Sequence, residues 1–533
     1  MLVFPNQDEP LGRVAIVCIW GIVLALFGVL VVTVAGLAAD PVGSGDQVIA
    51  IRAASEASSF RQLLVKTNDG WWLLAQLWAL KSFGMLSISS AQALSGLWML
   101  VAALCGVVIC RRWLRLSVLS CAVFVAAFGG SAEVLSWAAS PHSPYMASIA
   151  LGGVVLGVLL SLDKSELRPN GAHAIAAASG FALACLYSPV QGLLVGGGLV
   201  VLLVWPNQHG LRPNFWRRAI LIVWLGLPAL FVSLIPTLLF PHVQIGNPPS
   251  YAHPYLLETA TETAGPISFL ASRSWYLLVQ VFSIRYPRNS GLEWQGVLMI
   301  ALSFAAVVSV FVKDAPRRWR ILVLVIVASL LPAAALALIS WYPFGYVRYE
   351  YYVVVPIALL SAIGTHFLWH LVRGALPWRR INAMIGWLLL GTFSVLVLAS
   401  RVSTSHRAWD AAVEGRALLT NLARSLDEKP PPAFIADFWS QEMRDLIKGS
   451  HVPDFVVPRP VLVQQRALTE TELKVLRDVV SSHDRVVLLI SSSSTKSNRY
   501  VGVIDVMNSL DFSKQSLLDA DERLTQWSSQ SVK

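Results

Sequence analysis

For its first 400 residues the chain alternates long apolar runs with short polar breaks, and then its character changes. A helix needs about 20 consecutive apolar residues to cross the hydrocarbon of a bilayer. Runs of about that length lie near 14–38, 91–110, 116–139, 146–162, 174–189, 191–205, 219–240, 295–312, 321–342, 351–372 and 381–400. "YSPVQG" is the short hinge that separates the fifth from the sixth. Beyond Arg401 apolar residues become sparse and periodic. "TETELKVLRDVV" has a Thr469/Glu472 capping box and apolar positions at helical spacing. "DRVVLLI" and "YVGVIDV" have the composition of strands, and "AFIADFWSQEMRDLIKG" that of a strand followed by a helix. The expected fold is therefore a polytopic α-helical membrane protein of about eleven spans, residues 1–400, followed by a small α/β domain, residues 401–533.

Composition agrees with the pattern. Hydrophobic residues make up 55% of the 533, and charged residues 14%. Soluble domains carry about 25% charged residues. No signal-peptide cleavage pattern accompanies the first run, which is expected to be retained as an anchor. The five cysteines, Cys18, Cys105, Cys110, Cys121 and Cys185, all fall in or beside apolar runs, where they suit the role of small buried residues rather than a disulfide or zinc framework.

Charge adds a direction. Residues from Arg401 onward hold 17 basic and 17 acidic side chains, so the whole net charge of +10 belongs to the apolar part. Most of its basic residues sit in alternate connections: "RRWLR", "DKSELR", "LRPNFWRR", "KDAPRRWR" and "RGALPWRR". With eleven spans these all fall on the same side as Arg13. That is the positive-inside distribution of a plasma (cell inner) membrane protein and excludes a nucleic-acid-binding patch. It predicts a cytoplasmic N-terminus and an extracytoplasmic, in a bacterium periplasmic, C-terminal domain.

The opposite face receives two long connections, 39–90 and 241–294, and shorter ones such as "SPHSPY" and "PFGYVRYEYY". "GDQVIAIRAASEASSFRQLLV" places Val48, Ile51, Ala54 and Ala57 on one stripe, and "GWWLLAQLWALKSFG" is rich in tryptophan. Both suit helices lying in the membrane interface. Asp46 opens the first of them. A carboxylate there can cap the helix, and at a desolvated surface it can also act as a general base. Asp69 stands before the second helix, where a cap is the simplest role. Glu133 lies within the third apolar run, a costly place for an ionisable group, so it should face the bundle interior or a wet vestibule. His142 and His253 are loop histidines open to solvation or to metal binding. Arg273, Arg285 and Arg288 occupy the second long connection. Arg348 stands among tyrosines, Tyr349 next to it, at the mouth of a late span. A guanidinium there can anchor the span end or hold phosphate oxygens in a bidentate fashion.

Together these features resemble the GT-C superfamily of integral-membrane glycosyltransferases, which includes protein O-mannosyltransferases and the aminoarabinose transferases of lipid A. The resemblance is carried by an acid after the first span ("GDQVIAIRAA"), interfacial helices in the first outer loop ("WWLLAQLWALKSFG"), an Arg-Tyr segment opening a late span ("RYEYYVVVPIALL") and a soluble domain after the last span. It implies a hexosyl- or pentosyltransferase using a polyprenyl-phosphate-linked sugar donor, with a glycan, lipid or protein acceptor. Asp46 takes the position of the catalytic base. Arg348 takes that of the donor-phosphate ligand, seconded by Arg273 and Arg285, with Asp69, Glu133, His253 and Tyr349 near the site. Gln47 follows Asp46 where many members carry a second acid, and "TNDGWW" stands where many carry His-Pro-Pro. In members that use a divalent metal, these loops supply its ligands. Here Asp69 or His253 would have to do so.

Two other classes share the multi-span layout. A lipid-linked sugar flippase or transporter would carry polar groups near mid-membrane, and the predicted span centres are almost free of charge. A surface-polysaccharide polymerase or ligase would rely on a large late outer loop.

Overall fold

The computed structural model describes chiefly residues 51–66, 71–139, 144–164, 170–205, 215–239, 265–282, 294–338, 344–345 and 350–375, and in the C-terminal part 432–437, 454–457, 470–489, 498–517 and 524–529. The chain divides into two compact units: Met1–Ala39, Ala57–Ala252 and Leu256–Arg407 form one, and Asp40–Glu56, His253–Tyr255 and Ala408–Lys533 the other.

In the helical unit two short helices, α1 (Phe60–Lys66) and α2 (Trp71–Ser82), precede the long ones. The stretch from 48 to 65 is not the single amphipathic helix its stripe predicts. Residues 53–56 are helical, the chain leaves the helix at 57–59, and α1 begins at Phe60. The stripe is nonetheless correct where described: Ile51, Ala54 and Ala57 are buried. The break is stabilised locally, because the side-chain oxygen of Gln62 accepts from the Ser58 N–H, and the Lys81 amine of α2 donates to the Ala57 carbonyl.

The bundle follows: α3 (Ile88–Val108), α4 (Val118–Gly130), α5 (Ala132–Ala139), α6 (Pro144–Lys164), α7 (Gly171–Tyr187), α8 (Gln191–Val204), α9 (Phe215–Leu239), α10 (Pro266–Phe282), α11 (Trp294–Ser309), α12 (Arg317–Leu338) and α13 (Val354–Ala375), the last entered through a 3-10 turn at Tyr351–Val353. Caps fix several starts. Ser87 and Ser90 form a reciprocal capping box on α3, Ser117 caps α4, and Asn170 accepts the His173 N–H at 2.8 Å to cap α7. The expected run 116–139 is two helices rather than one. Ser131 leaves α4 in an extended conformation, φ −61° and ψ 122°, and α5 starts after it with Glu133 in its first turn. The runs at 14–38 and 381–400 lie almost entirely outside the described residues.

Among the described residues four helices are long and apolar enough to cross a membrane, and shorter apolar helices lie between them. The surface of α9 shows what solvent the bundle expects. Trp216, Ile220, Val223, Trp224, Leu227, Leu230 and Phe231 form a continuous helical face, each 59–73% exposed. A face this apolar is matched by lipid rather than water. With lipid outside, hydrophobic burial contributes little to helix association, and close packing and polar contacts take over. Gly364 of α13 meets the backbone of Leu302 on α11, and Gly197 of α8 meets that of Ser329 on α12. Ser303 and Ser361 share a buried hydrogen bond of 3.0 Å beside the first contact.

The C-terminal unit is an α/β domain with strands β1 (Ala433–Asp437), β2 (Phe455–Val457), β3 (Arg485–Leu489), β4 (Phe512–Leu517) and β5 (Leu524–Ser529), and helices α14 (Glu470–Ser481) and α15 (Asn498–Ser509). The sheet order is β2-β1-β3-β5-β4; β1 runs parallel to β2 and β3, and β5 pairs antiparallel with β3 and β4. Asp454 ties β1 to β2 in both directions: its carboxylate accepts the Phe434 N–H at 2.7 Å, and its own N–H donates to the Phe434 carbonyl at 2.8 Å. One expectation fails here, and the sheet has two strands that the sequence pattern does not mark. "YVGVIDV" lies in α15 rather than in a strand: Val503, Val506 and Met507, at helical spacing, are buried against Leu476 and Val480 of α14. The missing strands are β4 and β5, whose polar sequences bury only one face, through Phe512 and Trp527. The strand in "AFIAD" is present, and the helix expected after it falls outside the described residues, as does Thr469 of the capping box.

Candidate functional site

The helical unit has two chemically different ends, and α13 runs between them. Fifteen residues separate Tyr351 at one end from His366 at the other, about 22 Å of helix. Toward the His366 end lie four described arginines of the basic connections. Arg111 donates to the Leu116 carbonyl at 2.7 Å and Arg318 to the Trp113 carbonyl at 2.6 Å. Arg320 donates to Val312 at 2.8 Å, and buried Arg218 to Trp205 at 2.8 Å and to Leu202 and Leu203 at 3.3 Å. The Trp113 carbonyl ends the π-helical turn Ile109–Trp113 that continues α3, Leu202, Leu203 and Trp205 end α8, and Val312 follows α11, all places where the helix dipole is negative and carbonyl oxygens lack helical partners, whereas Leu116 lies in the link to α4. His366 itself accepts the Ser117 N–H at 3.2 Å and meets the Trp319 indole edge-on. This end uses its cations to close helices.

The other end is built from aromatic, hydroxyl and amide groups. Trp137 on α5 contacts Tyr145 on α6, with ring centroids 4.8 Å apart, and Tyr145 contacts Tyr351 at 5.8 Å. The Tyr351 hydroxyl bonds Ser188, which follows α7. Gln191 at the head of α8 donates to the Ser148 carbonyl at 2.6 Å, and Gln76 of α2 accepts the Trp98 indole N–H at 3.2 Å. The residues before Tyr351 complete this end. Glu350 is fully buried and accepts the Gly345 N–H at 3.2 Å. Gly345, at φ +92°, packs on the backbone of Arg273 in α10, whose guanidinium lies 5.7 Å from the centre of the Phe269 ring.

Two of the candidate residues expected from the sequence are therefore described. Arg273 lies against the turn that leads into Tyr351. Glu133 is buried in the bundle interior, 2% exposed, rather than facing lipid. Asp46, Asp69, His253, Arg285, Arg348 and Tyr349 lie outside the described residues, as does His142. Among the described residues no three His, Cys, Asp or Glu side chains gather as metal ligands. The structure adds Gln76, Trp137, Tyr145, Glu350 and Tyr351. Gln76 carries a legible signal, a lone amide in the otherwise apolar "WWLLAQLWAL". Glu350 and Tyr351 belong to the "YVRYEYY" already singled out. Trp137 and Tyr145 carry none, because aromatic residues at span ends are ordinary.

Fold and site define a class: a polytopic helical bundle with one end closed by arginine caps and the other lined by aromatic, hydroxyl and amide groups. No protein-family model matches the chain, and no curated protein matches it. Among solved structures it is similar to ArnT from Cupriavidus metallidurans bound to undecaprenyl phosphate, at 13% sequence identity and a TM-score of 0.47, over 95% of this chain and 98% of that one. It is likewise similar to ArnT from the same organism in the apo state, at 12% identity and a TM-score of 0.48, over 95% of this chain and 97% of that one.

Proposed function

We propose that the protein is an inner-membrane glycosyltransferase that moves a hexose or pentose from a polyprenyl-phosphate donor to a hydroxyl of a glycan, lipid or protein acceptor. The reaction takes place at the end of the bundle opposite the arginine caps, on the extracytoplasmic side. The observation that carries this reading is the placement of Arg273 against the Gly345–Glu350 turn, within the aromatic end of the bundle. Arg348 stands between Gly345 and Glu350 in sequence, and this reading gives it, with Arg273, to the phosphate of the lipid-borne donor. Guanidinium groups suit that ligand because they bind phosphate oxygens in pairs.

In the step itself the acceptor hydroxyl oxygen attacks the anomeric carbon from the face opposite the phosphate. The carbon–oxygen bond to phosphate breaks, and the configuration at that carbon inverts. The electron pair leaves with the polyprenyl phosphate, whose charge is balanced by Arg348 and Arg273, with Arg285 in support. Asp46 takes the hydroxyl proton.

The test is transfer of label from radiolabelled polyprenyl-phosphate hexose and pentose donors to envelope material in vesicles containing the full chain. Asp46→Asn at equal expression is expected to lower transfer by about 100-fold or more, the scale of a lost general base. Full transfer by that variant would remove Asp46 from the mechanism. No transfer from either donor class by the wild type would overturn the reading as a whole.

A further inference from the structure

The turn at Phe344 and Gly345 meets Arg273 in more than one way. Gly345 lies in the left-handed region, at φ +92°, and a Cβ built on it would lie 2.7 Å from the Arg273 carbonyl oxygen and 2.8 Å from the Arg273 Cβ. Only glycine satisfies both the backbone angle and the space. Its N–H is held at 3.2 Å by the carboxylate of Glu350, which has no solvent exposure. One residue earlier, Phe344 packs in a cluster with Phe269, Ala333 and Ala337. Phe269 is also the ring against which the Arg273 guanidinium rests, 5.7 Å from its centre. The turn therefore fixes the arginine twice, at its backbone through Gly345 and at its head through Phe344 and Phe269.

We infer that Gly345 and Glu350 are positioning residues for Arg273, holding its guanidinium where it meets the phosphate of a polyprenyl-phosphate ligand. This rests on the reading of Arg273 as a phosphate-binding residue. An arginine stem has many rotamers, and a ligand that must order it binds more weakly than one that finds it fixed. Glu350 acts at one remove: its carboxylate holds the Gly345 N–H, and Gly345 holds the arginine. Neither residue touches the ligand. What they set is the preference for a phosphate head over an uncharged one.

The test uses the full-length purified protein with farnesyl phosphate and farnesol as paired probes, and reads the ratio of their affinities. The wild type is expected to prefer the phosphate, and Arg273→Gln to lose most of that preference. Gly345→Ala is expected to lower the preference about ten-fold, the scale of one charge-assisted hydrogen bond, with farnesol affinity unchanged. Combined with Arg273→Gln it is expected to cause no further loss. Glu350→Ala should behave as Gly345→Ala does, and Glu350→Gln should restore the preference, since an amide oxygen still accepts the Gly345 N–H. If Gly345→Ala does not fold, the Glu350 pair carries the test alone. An unchanged preference in Glu350→Ala, or a loss of equal size in the presence and absence of Arg273→Gln, overturns the positioning role and leaves the reading of Arg273 standing. No phosphate preference in the wild type, or an undiminished one in Arg273→Gln, overturns that reading itself.

Discussion

Asp163, in the last turn of α6, and Arg317, the first residue of α12, form an ion pair. One carboxylate oxygen accepts from Nη2 at 2.7 Å and from Nε at 3.1 Å. The acid is 2% exposed and the arginine 21%, so the two partners are not equivalent. Removing the cation leaves a buried carboxylate uncompensated, which costs about 3–5 kcal/mol. Removing the acid leaves a cation that reaches water. Arg317→Met is therefore expected to lower the thermal unfolding temperature in detergent well below that of Asp163→Asn. Equal effects would show that the pair contributes no burial asymmetry.

Gly364 and Gly192 make an internal control for helix packing. A Cβ on Gly364 would sit 1.8 Å from the Leu302 carbonyl oxygen, whereas one on Gly192 meets nothing within 4 Å. The first substitution must push α13 and α11 apart, at a cost of at least the 1–3 kcal/mol typical of overpacking. Gly364→Ala should lose folded protein in a detergent unfolding series, while Gly192→Ala remains within about 0.5 kcal/mol of the wild type.

Orientation is testable with cysteines. After replacement of the five native cysteines by alanine, Ser143→Cys, in the connection just before α6, should react with an impermeant thiol reagent applied to intact cells. Ser165→Cys, just beyond the C-terminal end of α6, should react only after lysis. The expectation follows from the proposal that the arginine-rich end faces the cytoplasm. Labelling of Ser165→Cys in intact cells would invert the protein in the membrane.

In the C-terminal unit, Asp454 both accepts from and donates to Phe434. Asp454→Ala keeps its own N–H but removes the acceptor, leaving a β1 amide without this partner at a cost of about 1–3 kcal/mol. Amide hydrogen exchange at Phe434 should accelerate, with little change at the Leu488 amide of central β3. Unchanged protection at Phe434 would show that the side-chain bond contributes nothing.

Most described helices of the bundle were legible because an apolar run of span length has few other stable conformations in lipid, where every backbone group must be bonded within its own segment. The break at Ser131 was not. Its local signals, Gly129-Gly130-Ser131 and the acid Glu133, are outweighed because the whole run 116–139 is long and apolar enough to read as one span. "YVGVIDV" was misassigned because β-branched residues favour strands locally, while Val503, Val506 and Met507 satisfy helical periodicity as well, and only the two packed helices decide between these. Strands β4 and β5 were invisible, because an edge hairpin buried on one face needs few apolar residues.

The site divides along the same line. The sequence by itself marked the polar end of the bundle, through the asymmetry of its arginines, and marked Arg273 and the "YVRYEYY" segment as chemistry-bearing, because charge near a membrane boundary is costly and therefore conspicuous. It could not place Arg273, in the middle of one helix, against Gly345, 72 residues later and ahead of another. Nor could it show that Trp137, Tyr145 and Tyr351 form one chain of contacts from three separate helices. Burial and periodicity are local properties, written into each segment. Which segments meet is settled by the packing of whole helices, and there a missing Cβ at Gly345 decides more than any charged residue.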